Sequence, residues 1–465
     1  MIHFFNTLSG RREPFTPIEP GHVKLYTCGP TVYDRQHIGN FRAYVFEDLL
    51  KRFLRFQGFG VTHVMNITDV DDKTIRGARD RGLSLEAFTA DYIKEFFADL
   101  ETLRITPADH YPRATGHIPD MVRIIQGLLA KGYAYRKDGS VYFSIARFPG
   151  YGKLSKIDAT ELRATERVES DEYDKENARD FALWKAPKEG EPYWESDIGP
   201  GRPGWHIECS AMSAKYLGPT FDIHCGGVDN IFPHHENEIA QSEAYWDRPF
   251  VIYWLHCHHL IVDGEKMAKS RGNFYTLRDL IEKQKADPMA VRYLLLSTHY
   301  RKVLNFSFEA LEQDQAALRR IQDFLYEVDN RAFPPGRRPE VPAILDEAKA
   351  KFAEGLADDL NISLALTALF ELIKRINVLI KDDQLRADDA RETASLIRRL
   401  DEVLAVLPPK REVKIPDELM KKIEAREQAR KDRNFKLADA LRRELAESGL
   451  VLEDTKDGVR WKVLK

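Results

Sequence analysis

The sequence predicts an α/β fold: a doubly wound, Rossmann-like parallel sheet carrying an insertion, then a helical bundle and a small C-terminal α+β domain. Three observations predict it. Near the start, strand, helix and strand patterns follow one another within about 45 residues, the signature of a βαβ unit. Strand patterns resume at Phe221 and Val251, after a stretch that reads as inserted. From about Glu309 onward the apolar spacing is that of helices.

In chain order, a strand is expected from Val23 to Thr27, leading through Cys28-Gly-Pro into Asp34-Arg-Gln-His37-Ile-Gly39-Asn40. A helix is expected from Asn40 to Phe56, with Phe41, Tyr44, Val45, Leu49, Phe53 and Phe56 on its apolar side. A second strand is expected from Val61 to Ile67, so that 1–115 is the first half of the sheet domain. Residues 116–200 form a connective insertion, with a helix over 119–131, a strand from Ser140 to Ile145 and a charged, aperiodic stretch over 153–179. The second half of the sheet domain occupies 201–308. A helical domain fills 309–405, interrupted at Phe333-Pro-Pro-Gly. Its strongest stripe is Leu364, Leu366, Leu369, Leu372, Ile373, Ile376 and Leu379. Leu407-Pro-Pro-Lys opens the last domain, 406–465, a helix ending near Glu447 and then a hairpin.

The 465 residues allow about three domains at roughly 150 residues each. Hydrophobic residues make up 43% and charged residues 31%, enough for several cores in a soluble chain. No apolar run approaches the ~20 residues of a membrane span, and no secretory start is visible. Four cysteines make no disulfide framework, so reduced thiols in a cytoplasmic, monomeric protein are expected. Net charge is -4, but unevenly spread. Residues 410–465 hold 16 Lys and Arg against 12 Asp and Glu, whereas the body holds 54 against 62. A basic tail on an acidic body permits RNA contact without requiring it.

His37-Ile-Gly39-Asn40 falls where a helix begins after a strand, where free N–H groups and the positive dipole end face an anion. Gly39 lets a flat group approach the backbone, and His37 and Asn40 offer donors to phosphate oxygens. Alone, this tetrapeptide reads more economically as a helix cap. Lys266-Met-Ala-Lys269-Ser270, flanked by glycines, reads as a cationic loop suited to charge developing on a phosphate, or else as a solvated basic turn. Cys28, Cys209, His234 and Glu238 together offer two thiolates, an imidazole and a carboxylate, a sensible shell for Zn²⁺. His234 and Glu238 are four residues apart on an expected helix and share a face. Spacing alone does not select these four.

In this order, on a βαβ chain, the two short motifs resemble the HIGH and KMSKS signatures of class I aminoacyl-tRNA synthetases. The whole chain resembles the cysteinyl-tRNA synthetase family. The longer matches are Tyr26-Thr-Cys28-Gly-Pro-Thr-Val-Tyr-Asp34, Asn66-Ile-Thr68-Asp-Val-Asp-Asp-Lys73 and Gly201-Arg-Pro-Gly-Trp205-His-Ile-Glu-Cys209-Ser. Phe221-Asp-Ile-His-Cys-Gly-Gly-Val-Asp229 and Phe232-Pro-His234-His-Glu-Asn-Glu238 continue them. Asn40 and Ala268 stand where the signatures have histidine and serine.

The resemblance implies one zinc per chain on Cys28, Cys209, His234 and Glu238. It implies ATP with Mg²⁺ at His37, Gly39, Asn40, Asp229 and Lys269, and catalysis by His37, Asn40, Lys266 and Lys269. Thr68, Trp205 and His234 would line the amino-acid pocket. L-cysteine, ATP and tRNA(Cys) would be the substrates, the tRNA held by the helical and C-terminal domains. A soft metal gives this reading a physical basis, because size exclusion separates near-isosteres such as cysteine and serine by only ~10² or less.

Cys225, Cys257 and His256-Cys-His-His259 are not expected to form a second metal site, because successive strand residues face opposite sides. Asp69, Asp71 and Asp72 are expected in a structural turn pairing with Lys73 rather than on Mg²⁺. A ligase joining cysteine to a sugar amine, as in mycothiol synthesis, would keep the core and change the acceptor. A zinc-stabilised RNA-binding protein without catalysis is the rival from another class.

Overall fold

The computed structural model describes residues 1–157, 180–408, 417–448, 450–455 and 458–463. Residues 1–407 and 408–465 form two compact units. At the centre of the first lies a four-stranded parallel sheet in the order Val251–Cys257, Phe221–Gly227, His22–Thr27, Gly60–Met65. From His22–Thr27 the chain winds one way, through the Ile38–Phe56 helix, to Gly60–Met65. It later returns to the other side as Phe221–Gly227. This reversal opens a crevice beyond the carboxyl ends of the two central strands, the usual ligand position in open α/β sheets. Cys28 follows one of those strands and Asp229 the other.

The Ile38–Phe56 helix starts two residues before the predicted Asn40, because His37 rather than Gly39 caps it. It buries Ile38, Phe41, Val45, Leu49, Leu50 and Phe53 against the sheet. The second strand ends at Met65, short of the predicted Ile67. Beyond it the backbone turns aside, and Ile67 and Thr68 bridge to Arg113 and Thr31.

An antiparallel sheet of Ala134–Lys137, Ser140–Phe143, Phe181–Lys185 and Arg202–Pro203 fills the expected insertion and runs past its expected end at residue 200. Its core gathers Met121, Ile125, Phe143, Leu183 and Trp184. The charged 153–179 stretch is described only as far as residue 157; the rest lies outside the described residues. Its start is anchored by the Glu236 carboxylate, which accepts from the N–H groups of Gly152, Leu154 and Ser155.

The helices Phe308–Asn330, Val341–Ala357, Ile362–Lys381 and Ala387–Leu404 complete the first unit. The predicted stripe needs one correction: Leu364 is 51% exposed. The buried line runs through Ile362, Ala365, Leu366, Leu369, Leu372, Ile373, Ile376 and Ile380. Residue 364 lies two positions past Ile362, which places it on nearly the opposite side of a 3.6-residue helix. A buried ion pair joins the Ile38–Phe56 helix to the Pro288–Ser297 helix. Arg292 Nη2 lies 2.5 Å from Asp48 Oδ2, and its other nitrogens donate to the carbonyls of Leu404 and Leu103.

The second unit has two helices, Asp417–Lys431 and Phe435–Glu447, and the antiparallel hairpin Leu450–Thr455/Gly458–Val463. Among the described residues, no helix is long and apolar enough to cross a membrane.

Candidate active site and metal centre

The four expected metal ligands come from four separate pieces of chain. Cys28 leaves the His22–Thr27 strand, and Cys209 sits at the start of the second turn of the Trp205–Leu217 helix. His234 belongs to an irregular turn, Ile231–His235, in which Phe232 is extended and the Phe232–Pro233 bond is cis. Glu238 opens the next helix, Glu236–Trp246. The expected helix over 234–238 holds in the backbone: His235 and Glu236 both have helical dihedrals, and the departure from helix lies upstream, at Phe232. The relation of i to i+4 survives, with His234 Nε2 3.0 Å from Glu238 Oε1.

One ligand atom from each of Cys28, Cys209, His234 and Glu238 lies within 4.8 Å of the others. Glu238 Oε1 is buried yet accepts no well-formed hydrogen bond, an orphan that suits a cation. Burial raises the Glu238 pKa, but His224 and His234 outweigh it and hold the carboxyl down to about 2. The Cys28 thiol donates to Cys209, which lowers Cys209 and, with burial, pushes Cys28 well up. The donor set thus offers two soft sulfurs, one imidazole and one carboxylate, which fits Zn²⁺.

His224 and His235 were not foreseen. With Cys28 and Glu238 they form a second, overlapping group of the same reach. His224 Nε2 lies 3.0 Å from Glu238 Oε2, and His235 Nε2 lies 3.3 Å from Cys28 Sγ. Strand alternation carried the missed signal. Cys225 and Cys257 pack into the core on the side of the Ile38–Phe56 helix. His224 lies on the opposite face, stacked on Trp254 at 4.6 Å, and His256 pairs with His235 at 2.8 Å.

At the helix entry, His37 and Asn40 cap each other. His37 Nδ1 accepts from the Asn40 N–H at 3.2 Å, and Asn40 Oδ1 accepts from the His37 N–H at 3.1 Å. Asn40 thereby closes a capping box on the first turn. Burial lowers the His37 pKa, so the ring is neutral; Asp229 pulls the other way. A Cβ on Gly39 would fall 2.9 Å from the His37 ring and 3.4 Å from Met267, so this close approach needs glycine. Lys269 forms an ion pair with Asp34, and its Nζ lies 5.1 Å above the Phe274 ring. Phe274 in turn packs edge-on against His37. The Ala268 N–H donates to Asn273 Oδ1 at 2.9 Å. The structure therefore brings Lys269 to the helix entry. Lys266 stays exposed on the hairpin strand Glu265–Lys266, paired with Ile261–Val262.

Trp205 heads its helix, half-exposed, with its ring 4.1 Å from His234. Thr68 is buried; its hydroxyl donates to Glu208 Oε2 at 2.8 Å and accepts from Asn66 Nδ2 at 3.2 Å. The Gly29 N–H donates to Asn66 Oδ1 at 2.9 Å. A Cβ on Gly29 would meet the Asn66 carbonyl oxygen at 1.7 Å. Gly29→Ala should therefore push the Cys28 and Asn66 backbones apart and raise KM for the amino acid about tenfold or more. An unchanged KM would show that this contact does not position the site.

The acidic run is structural, with different partners from those expected. Asp69 accepts from Thr115, and Asp71 caps the Asp72–Asp80 helix. Asp72 pairs with Lys185 and Arg202, while Lys73 lies over the Tyr33 ring instead.

Residues 14–316 match the family described as tRNA synthetases class I (C) catalytic domain. Residues 351–408 match the DALR domain, and 414–461 the cysteinyl-tRNA ligase anticodon binding domain. The cysteine–tRNA ligase of Chlamydia muridarum is 52% identical over 99% of both chains. That of Protochlamydia amoebophila is 48% identical over 99% of this chain and 98% of its own. The chain belongs to the cysteine–tRNA ligase family.

Two solved structures share the fold of this family member at much lower identity. Mycobacterium tuberculosis methionyl-tRNA synthetase with methionyl-adenylate has a TM-score of 0.58 at 18% identity, over 83% of this chain and 90% of that one. The Agrobacterium radiobacter leucyl enzyme in its ternary complex has a TM-score of 0.59 at 13% identity, over 84% and 85%.

Proposed function

We propose that this member of the cysteine–tRNA ligase family activates L-cysteine with ATP and transfers it to tRNA(Cys). Cys28, Cys209, His234 and Glu238 would hold a zinc ion, through which the substrate thiol would be selected. When bound there, the ion supplies a soft Lewis acid that prefers a thiolate to a hydroxyl. The observation that carries this reading is the convergence of half-buried Cys28 with buried Cys209, His234 and Glu238 within 4.8 Å at the crevice of the sheet, beside Trp205.

The protein's own part is positioning and charge stabilisation. The amino acid's carboxylate is held in line with the α-phosphate of ATP, which enters with Mg²⁺ at the start of the Ile38–Phe56 helix. That helix end and neutral His37 donate to phosphate oxygens, and Asp229 suits the ribose hydroxyls. Lys269 must leave Asp34 to meet charge growing on the α-phosphate and pyrophosphate. Lys266 would join it from the same loop. The tRNA's terminal ribose then attacks the activated carbonyl.

Lys269→Ala is expected to slow cysteine-dependent pyrophosphate exchange by about 10²–10³, the usual effect of losing one charge-stabilising donor, with KM for cysteine little changed. An exchange rate equal to that of the parent protein refutes the role.

The direct test of the function is charging of bulk tRNA with labelled cysteine, with serine as control. Cysteine-only charging supports it; no charging by zinc-loaded protein refutes it. The sugar-amine alternative falls away, because the full-length relatives are tRNA ligases and residues 414–461 match an anticodon-binding domain. The same matches leave no basis for a non-catalytic RNA-binding protein.

A further inference from the structure

We propose that Glu208 is a positioning residue that turns the Thr68 hydroxyl into an acceptor reserved for the α-ammonium group of the amino acid. The inference rests on the reading that Thr68 lines the amino-acid pocket.

A threonine hydroxyl has one proton and two lone pairs. Here the proton goes to Glu208 Oε2 at 2.8 Å, and one lone pair takes the Asn66 Nδ2 donor at 3.2 Å. The orientation of the Asn66 amide is fixed in turn, because its oxygen already accepts from the Gly29 N–H at 2.9 Å. Thr68 is left with a single lone pair and no proton to give. It can receive a donor such as an ammonium, and it cannot bind an acceptor such as a carboxylate or a sulfonate. An ionised Glu208 accepts this proton on Oε2; a protonated one accepts it only when its own proton sits on Oε1.

The second observation is Glu208 Oε1. It is buried and has no hydrogen-bond partner. An unpaired buried oxygen costs stability, and an apolar residue of similar size would fold better. Stability therefore does not explain the residue. The hydrogen bond of the Glu208 carboxyl goes to Thr68, and it is through that residue that Glu208 acts. The bond spans 140 residues, tying the bend after Gly60–Met65 to the helix that carries Trp205 and Cys209. One contact thus sets the polarity of the amine site and holds it to the helix bearing a thiol-side ligand.

The test uses full-length Glu208→Gln and Thr68→Val proteins, each assayed for zinc and thermal midpoint. Two ligands are compared: cysteine, and mercaptopropionate, which keeps the thiol and carboxylate but lacks the ammonium. In Glu208→Gln the amide can feed an N–H into Thr68 and turn the hydroxyl proton outward against the substrate. We expect KM for cysteine to rise about tenfold or more, the loss of one hydrogen bond to a charged group. The inhibition constant of mercaptopropionate, the zinc content and the midpoint should stay near the parent values. Thr68→Val should separate the two ligands in the same way, and Thr68→Ser should restore parent behaviour. If Glu208→Gln does not fold, Glu208→Asp, whose shorter carboxylate draws back from Thr68, gives the same comparison.

Two results overturn the proposal and are distinct. If Thr68→Val weakens both ligands alike, or neither, Thr68 is not the amine site and the pocket reading fails too. If Thr68→Val separates them but the Glu208 variant does not, the pocket reading stands and Glu208 has no positioning role.

Discussion

Cys209→Ser is expected to strip the metal and remove the thiol-specific part of discrimination in one step. The Cys209 thiol is buried and is the more acidic of the sulfur pair, because Cys28 donates to it. Serine keeps the volume but exchanges a soft thiolate for a hydroxyl that stays protonated at neutral pH. Even outer partners of metal ligands are worth about 10–100-fold in affinity, so replacing a ligand should cost more than about 10². Purified Cys209→Ser should carry far less than one zinc per chain. Cysteine activation should fall with it, and selection against serine should shrink toward the ~10² or less that pocket size alone supplies. Parent-level zinc by mass spectrometry would remove Cys209 from the ligand set. A neighbouring thiol substitution, Cys225→Ser, should leave zinc in place, because that side chain faces the helix layer.

Arg292→Met is expected to be the most damaging substitution for stability, at about 3–5 kcal/mol. Asp48 and Arg292 are both buried, and Arg292 also satisfies the carbonyls of Leu404 and Leu103. Methionine fills much of the volume yet leaves a buried carboxylate and two buried carbonyls short of donors. Arg52 still reaches Asp48 at 2.8 Å and softens the loss. Burial pushes the Asp48 carboxyl up, but Arg292 and Arg52 together hold it below its usual range. The sign follows from linkage: a depressed folded pKa gives stability that is present above the unfolded value of about 3.9 and is lost as pH falls through the folded one. The gap between parent and Arg292→Met should therefore narrow on acidification below about pH 4. Urea midpoints at neutral pH measure the effect, and a shift equivalent to under about 0.5 kcal/mol, that of an ordinary surface change, would contradict it.

Much of the site was legible because its residues sit in long aperiodic matches. Cys28-Gly-Pro, Trp205 to Cys209 and His234 to Glu238 were each visible as strings whose composition secondary structure does not explain. What escaped was pairing across the fold. His224 and His235 look like ordinary strand and turn residues until Glu238 and Cys28 are brought beside them. Glu208 carries no role in the sequence reading, because its partner Thr68 lies 140 residues away. Lys73 was matched to its neighbouring aspartates because local sequence offers only local partners, whereas Asp72 found Lys185 and Arg202 in the insertion.

By itself the sequence determined the opening βαβ unit, the parallel character of the central sheet and the helical character of the chain beyond Glu309. Hydrophobic period and residue chemistry are local properties, written directly in the chain. Only the tertiary structure decided which strands flank the crevice, which histidine holds which carboxylate oxygen, and that Lys269 rather than Lys266 meets the helix entry. Those choices depend on distances of a few ångströms between segments far apart in the chain. Such distances are set by the packing of the whole core, so no local pattern could have fixed them.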